Sequence, residues 1–322
     1  MMHRREAVKW MGAAALIALA GPVIAEDQGL IRIIVPYAAG GFIDTIARLL
    51  AASMQTTLNR NVIVENKPGA AALIGTKFVQ LASPDGNTLL FNASGMIALP
   101  MVQKSATYDP IKDFDPVCEV GETPSYLMVN DRVPANNMTE FLAWAHSTTD
   151  RIECGNAGIN TGGHLLAQML EKLAKIKLVH VPFKGAAEVT LAMIGGEVKM
   201  SVLVTTEALN PYIKEGKIKI LGVTTKTRSS LLPDVPPIAD TVPGYEYVGW
   251  YGILSPAHTP LAVRQKIASA VETALKDPTV KQRVEALYFE IGYKRPDQFA
   301  ALLQESTDTH RKLVSMLGIT PL

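Results

Sequence analysis

The strongest chemical signal in the chain is Pro36-Tyr37-Ala38-Ala39-Gly40-Gly41-Phe42-Ile43-Asp44, set between an apolar β-branched run and a helix-periodic one. Two adjacent glycines let the backbone approach a ligand closely, and the following helix turns its free N–H groups and positive dipole end toward the loop. That arrangement suits an anion, above all a carboxylate. Asp44, in the first helical turn, is positioned to satisfy helix N–H groups or to hold a water against the ligand. The bland alternative is a tight strand-to-helix turn with Asp44 as a cap.

A second run, Gly155-Asn156-Ala157-Gly158-Ile159-Asn160-Thr161-Gly162-Gly163-His164, has the same strand-to-helix character, with His164 in the first helical turn. Two such loops facing each other would pinch one small anion without any reactive group. Thr205 and Thr206, beyond a later strand, offer hydroxyl donors, and Lys184 after another strand offers a solvated cation. Trp250 and Tyr251 either line a cleft or pack in the core. A dinucleotide site fails: Ala39-Gly40-Gly41-Phe42-Ile43-Asp44 is not GxGxxG, although Glu65 ends the next strand where a ribose-binding acid would fall.

The enzyme motifs are mostly missing. Asn92-Ala93-Ser94-Gly95 lacks the first glycine of a nucleophile elbow, so Ser94 is the weak candidate for a secreted hydrolase. There is no HExxH, and the six histidines (3, 146, 164, 180, 258, 310) are scattered without metal spacing. No cofactor or metal is expected.

Strands must hold these loops. Ile31 to Val35, Val62 to Glu65 and Thr88 to Phe91 alternate with helix-periodic stretches, and a second series runs from Tyr126 to Val223. Such alternation predicts an α/β fold with mostly parallel sheet. One crossing near 125 and a return near 248 predict two α/β lobes that face each other across a hinge of two crossing strands. The expected organisation is an outer domain from 26–125 and 248–322, with an inserted domain at 126–247. Ligands of open α/β sheets sit beyond the C-terminal strand ends, where both loops fall.

Residues 1–25 read as an export signal: Arg4, Arg5 and Lys9, an apolar run from Met11 to Ala20, and a small-residue site with cleavage expected after Ala25. Arg4-Arg5 resembles a twin-arginine signal, with Ala7 and Val8 where bulkier residues are usual; general secretion fits equally. No cysteine lies near the cut, so a lipid anchor is not expected, and the location predicted is the periplasm. Without this segment 297 of the 322 residues remain, with 28 basic and 29 acidic side chains in place of 31 and 30. That balance gives no footprint for nucleic acid. Cys118 and Cys154 stay in an oxidising compartment, either paired or as two buried thiols.

Taken in order, PYAAGGFIDTIARLL, VENKPGAAALIG, SPDGNTLL, GNAGINTGGHLL, HVPFKG, GGEV, LGVTTKTRSSLLPDVPPIAD and GWYGILSPAHTP resemble the periplasmic solute receptors of tripartite tricarboxylate transporters, the Bug family. The resemblance spans essentially the whole chain after the signal. It implies a two-lobed, Venus-flytrap (type II-like) periplasmic binding protein, expected as a monomer, that captures a small organic carboxylate and delivers it to a membrane permease, with a sensor-kinase receptor as the alternative. It also implies that Tyr37, Ala39, Gly41, Phe42 and Asp44 face Gly158, Asn160 and Thr161 across the ligand. Three departures stand out: Ala71-Ala72 for Gly-Gly, Asn160-Thr161 for Gly-Ser, and Lys199 for an acid.

Overall fold

The computed structural model describes residues 29–205 and 209–320. The segment read as an export signal, the cleavage expected after Ala25 and Thr206 lie outside these residues. The chain opens with β1 (Ile31–Val35), α1 (Phe42–Leu58), β2 (Val62–Asn66), α2 (Leu73–Gln80), β3 (Thr88–Ala93), α3 (Gly95–Val102) and β4 (Phe114–Thr123). Pro124 and Ser125 then lead into β5 (Tyr126–Asn130), α4 (Met138–Ser147), β6 (Glu153–Asn156), α5 (Gly162–Ala174), β7 (Val179–Pro182), α6 (Ala186–Gly195), β8 (Met200–Leu203), α7 (Asn210–Lys214) and β9 (Ile218–Val223). The return brings β10 (Gly249–Pro256), α8 (Leu261–Lys276), α9 (Pro278–Glu285), β11 (Glu290–Lys294) and α10 (Pro296–Leu317).

The strands form two sheets, one per lobe, in the orders β11-β4-β10-β3-β1-β2 and β7-β6-β8-β5-β9. Within them β1 pairs in parallel with β2 and β3, and β6 with β7 and β8. The strands that leave or re-enter, β5 and β10, insert antiparallel. Each sheet is buried on both faces, as the continuous apolar run of β1 requires. In the first lobe α1, α8 and α9 cover one face and α2, α3 and α10 the other. In the second, α4 and α5 lie opposite α6.

Local sequence explains most elements. The α1 stripe Ile43, Ile46, Ala47, Leu50, Met54 and Leu58 is buried, and the helix stops at Asn59 in left-handed geometry. Asn137 accepts the Glu140 N–H at 2.9 Å, and Glu140 returns to Asn137 and to the Asn136 N–H, which starts α4 as a capping box. Two elements have weaker local signals: α3 contains Pro100, and the half-buried β11 exists by pairing with β4.

The lobes join where three segments meet. Ser125 accepts the Thr224 N–H at 2.9 Å, Thr224 accepts the Tyr247 N–H at 2.8 Å, and Gly249 pairs with Thr123. The terminal helix α10 serves both lobes: Phe299 and Leu303 pack in the first core, while Leu313, Met316 and Leu317 pack in the second. Cys118 and Cys154 are free and buried in the cores of different lobes, so the choice left open by sequence resolves to two thiols. Burial pushes the Cys154 thiol up to about 12.

Candidate functional site

Both lobes repeat one kernel. In the order β2-β1-β3, α1 leaves β1 on one sheet face and α2 returns on the other. In β7-β6-β8, α5 and α6 divide in the same way. The strand order therefore reverses direction beside β1 and beside β6, which makes the loops after them the crevices where doubly wound sheets take ligands. These are the two glycine-containing loops.

No side chain caps either following helix: Gly41 stands before α1, and Thr161 before α5 makes no side-chain cap bond. Their first-turn N–H groups have no partner within the helix and remain available. By contrast, Asn137 and Asp277 cap α4 and α9. Ala39, Gly40 and Gly41 are exposed on the first loop, and Gly40 takes a positive φ of 77° that favours glycine.

Asp44 is buried and holds this loop from within. Its Oδ2 accepts the Gly40 N–H at 2.8 Å and Arg48 Nε at 2.9 Å, while Oδ1 accepts Asn66 Nδ2 at 2.9 Å. Burial opposes the charge, but hydrogen bonds from Arg48, Gly40 and Asn66 outweigh it and hold the carboxyl below its ordinary range. It stays ionised at neutral pH and braces the loop. Asn66 also donates to the Tyr37 carbonyl at 3.1 Å. The Tyr37 hydroxyl donates to Asn92 Oδ1 at 3.1 Å, and Asn92 Nδ2 donates to Thr76 at the start of α2. Phe42 is an anchor: its ring meets Tyr251 edge-on at 5.3 Å and Phe289 at 5.9 Å.

The second loop is shaped differently. Gly158 has φ 123° and donates its N–H to Asn156 Oδ1 at 3.2 Å, while Thr161 Oγ1 donates to the Gly158 carbonyl at 2.7 Å. Asn160 is left-handed at φ 63°, donates its backbone N–H to His164 Nδ1 at 3.1 Å, and extends Nδ2 to the Val102 carbonyl of the first lobe at 3.4 Å. Asn thus supports the geometry for which glycine is usual. A Cβ on Gly163 would lie 2.6 Å from the Val202 carbonyl. Gly163→Ala should therefore lift the first turn of α5 off β8 and weaken anion binding about tenfold or more, measured by calorimetry; retained affinity would show that this close packing does not set the loop.

Several buried polar atoms near the strand ends lack partners among the described residues: Thr123 Oγ1 at the end of β4, Asn156 Nδ2 at the end of β6, and Thr205 Oγ1 just past β8. All three residues are almost fully buried. Buried polar groups of this kind need a partner such as water or ligand. Sequence reasoning singled out Thr205 but missed Thr123 and Asn156; the ends of β4 and β6 were the available signal.

Other sequence candidates lie elsewhere. Lys199 pairs with Glu153 at 2.7 Å, just before β8 and at the first residue of β6, and so opposite the loops. Glu65 pairs with Arg32 and Lys67, each at 3.8 Å. Ser94 is buried in the hinge, its Oγ 2.7 Å from the Tyr247 hydroxyl, which is 3.4 Å from His310 Nε2. Ala70, Ala71 and Ala72 all hold positive φ, from 48° to 73°, so the two alanines standing where glycine is usual enter α2 in strained geometry.

With this geometry in place, relatives identify the architecture. A family model described as the tripartite tricarboxylate transporter family receptor matches residues 46–319. The periplasmic binding protein BugD is 31% identical, with a TM-score of 0.81 over 91% of this chain and 99% of that one. MatC of Rhodopseudomonas palustris, solved with bound malate, is 30% identical, with a TM-score of 0.78 over 88% and 98%. An R. palustris protein solved with adipate is 25% identical, with a TM-score of 0.83 over 91% and 98%.

Proposed function

The chain belongs to the tripartite tricarboxylate transporter receptor family, and from that premise we propose that it captures a small organic carboxylate between its lobes and delivers it to a membrane permease of that transporter type. The observation that carries this reading is the pair of uncapped helix starts, α1 and α5, one at the crevice of each lobe. A carboxylate accepts several N–H bonds at once and is favoured by the positive end of each helix dipole. Malate and adipate, found in two relatives, set the size class of the ligand. The ligand contacts proposed are the Ala39–Gly41 loop with the first turn of α1, and the first turn of α5, which Gly158 and Thr161 shape by their own hydrogen bonds, with Thr205 supplying a hydroxyl. Asp44, Tyr37 and Phe42 hold the first loop in shape.

The receptor works in the periplasm as a monomer after cleavage behind Ala25, and its action is binding without turnover. Ser94 gives no support to a hydrolase, because its hydroxyl is engaged inside the hinge. A panel of malate, adipate, citrate, aromatic acids, amino acids, sugars and cations, tested by thermal shift on refolded ligand-free protein, checks the reading. At a hundredfold excess over Kd a true ligand adds about 2.7 kcal/mol of stability. At least one carboxylate should raise Tm by several degrees. Stabilisation by sugars or cations alone would overturn the proposal.

A further inference from the structure

Asn160 is the residue through which the second-lobe loop reaches the first lobe. Its side chain donates to the Val102 carbonyl at the C-terminal end of α3, and its backbone N–H is taken up by His164. The backbone N–H and one of the two amide protons are therefore engaged within the protein. The left-handed φ of 63° aims the side chain across the gap, and the bond to His164 Nδ1 closes the four-residue turn that holds that φ. His164 is itself buried, its ring set edge-on to His180 at 4.8 Å, and His180 Nε2 lies 3.2 Å from Glu171. A gap with room for about one water lies between Ala98, Asn160, Leu166, Tyr247 and His310, so both lobes and the hinge meet around this point.

We propose that Asn160 is an interlobe latch and His164 its positioning residue: the neutral imidazole accepts the Asn160 N–H, fixes the loop, and directs the Asn160 amide to Val102 to hold the lobes together. This deepens the receptor reading, since lobe closure is what retains a captured ligand, but its mechanics belong to the protein alone. His164 must carry its proton on Nε2, because Nδ1 is the acceptor. Burial pulls the His164 pKa down to about 4, so the acceptor persists at neutral pH.

The test needs no ligand. Both native cysteines are buried, so Gln55→Cys on α1 and Lys172→Cys on α5 take spin labels for an interlobe distance distribution by pulsed electron resonance. Asn160→Gly keeps the backbone geometry and N–H while deleting only the amide that crosses the gap, and should raise the ratio of open to closed lobes about five- to tenfold, the scale of one hydrogen bond. His164→Leu should do the same, whereas His164→Asn, whose Oδ1 stands where Nδ1 was, should restore the native distribution. Nitrogen-15 spectra should find His164 protonated at Nε2 alone at pH 7. An unchanged distribution in Asn160→Gly overturns the latch; failure of His164→Asn to restore closure, or a proton on Nδ1, overturns the positioning role. The receptor reading fails on the thermal-shift panel, whereas the latch fails on the ligand-free distances, so the two failures are distinguishable.

Discussion

Asp44→Ala is expected to weaken carboxylate binding by about 1 to 3 kcal/mol, the scale of losing charge-assisted hydrogen bonds to a buried carboxylate. The substitution leaves the Gly40 N–H, Arg48 Nε and Asn66 Nδ2 without the acceptor that unites them. Gly40 then loses the tether that shapes the exposed loop, and Asn66, whose amide bridges Asp44 and the Tyr37 carbonyl, loses one of these two acceptors. Asp44→Asn should also lose affinity, because its amide replaces one accepting oxygen with a donor facing donors. Since the folded pKa is depressed, the brace is complete above the ordinary aspartate value of 3.8 and is lost only as pH falls through the lowered value. Calorimetry with the best compound of the panel measures this, and unchanged affinity would reduce Asp44 to a brace that the ligand does not feel.

The largest stability effect is expected at Lys294. Glu119 is fully buried on β4, with Oε2 2.6 Å from Lys294 Nζ, and Glu122 lies 3.0 Å from the same nitrogen. Burial opposes the Lys294 charge, yet its two carboxylate partners hold it above the ordinary lysine value. Burial pushes Glu119 up from 4.5 to about 7, against the pull of Lys294. Because the folded value exceeds the unfolded one, this group's contribution to stability is full below pH 4.5 and declines as pH rises through 7. Lys294→Ala leaves a buried carboxylate alone and should cost about 3 to 5 kcal/mol at pH 8. The cost should shrink toward pH 5, where Glu119 is protonated with or without its cation. Adding Glu119→Gln should recover most of the loss and flatten the pH dependence. Urea unfolding at both pH values measures this; a loss independent of pH would mean that lysine packing, and not the buried charge, is what matters.

The fold was legible because its signals are local. Alternating β-branched runs and helical stripes, glycines at strand ends, and the Asn137–Glu140 capping box all report within a few residues. The α3 helix with Pro100 and the strand β11 were not legible, since they are held by the distant elements α10 and β4, and the five-residue α7 is too short to show a helical period. The candidate site divides in the same way. The loops and Asp44 stood out from residue type and spacing, and Arg48 follows Asp44 by four positions on one helix. Asn66 is 22 residues from Asp44 in the chain, and Val102 is 58 from Asn160, so no spacing rule reaches either bond.

By itself the sequence determined two things: where backbone N–H groups would be left free, and that the strands beneath them would be parallel and buried. Both follow from glycine's conformational range, helix ends and hydrophobic period, which act over a few residues. Only the tertiary structure decided which polar groups were spent and which were spare. Asp44 and Asn160 hold the loops and the lobes, the two cysteines sit in separate cores, and Thr123, Asn156 and Thr205 keep unpartnered atoms. That division depends on long-range packing, because a hydrogen-bonding group is free or taken according to what the rest of the chain brings within 3.5 Å of it.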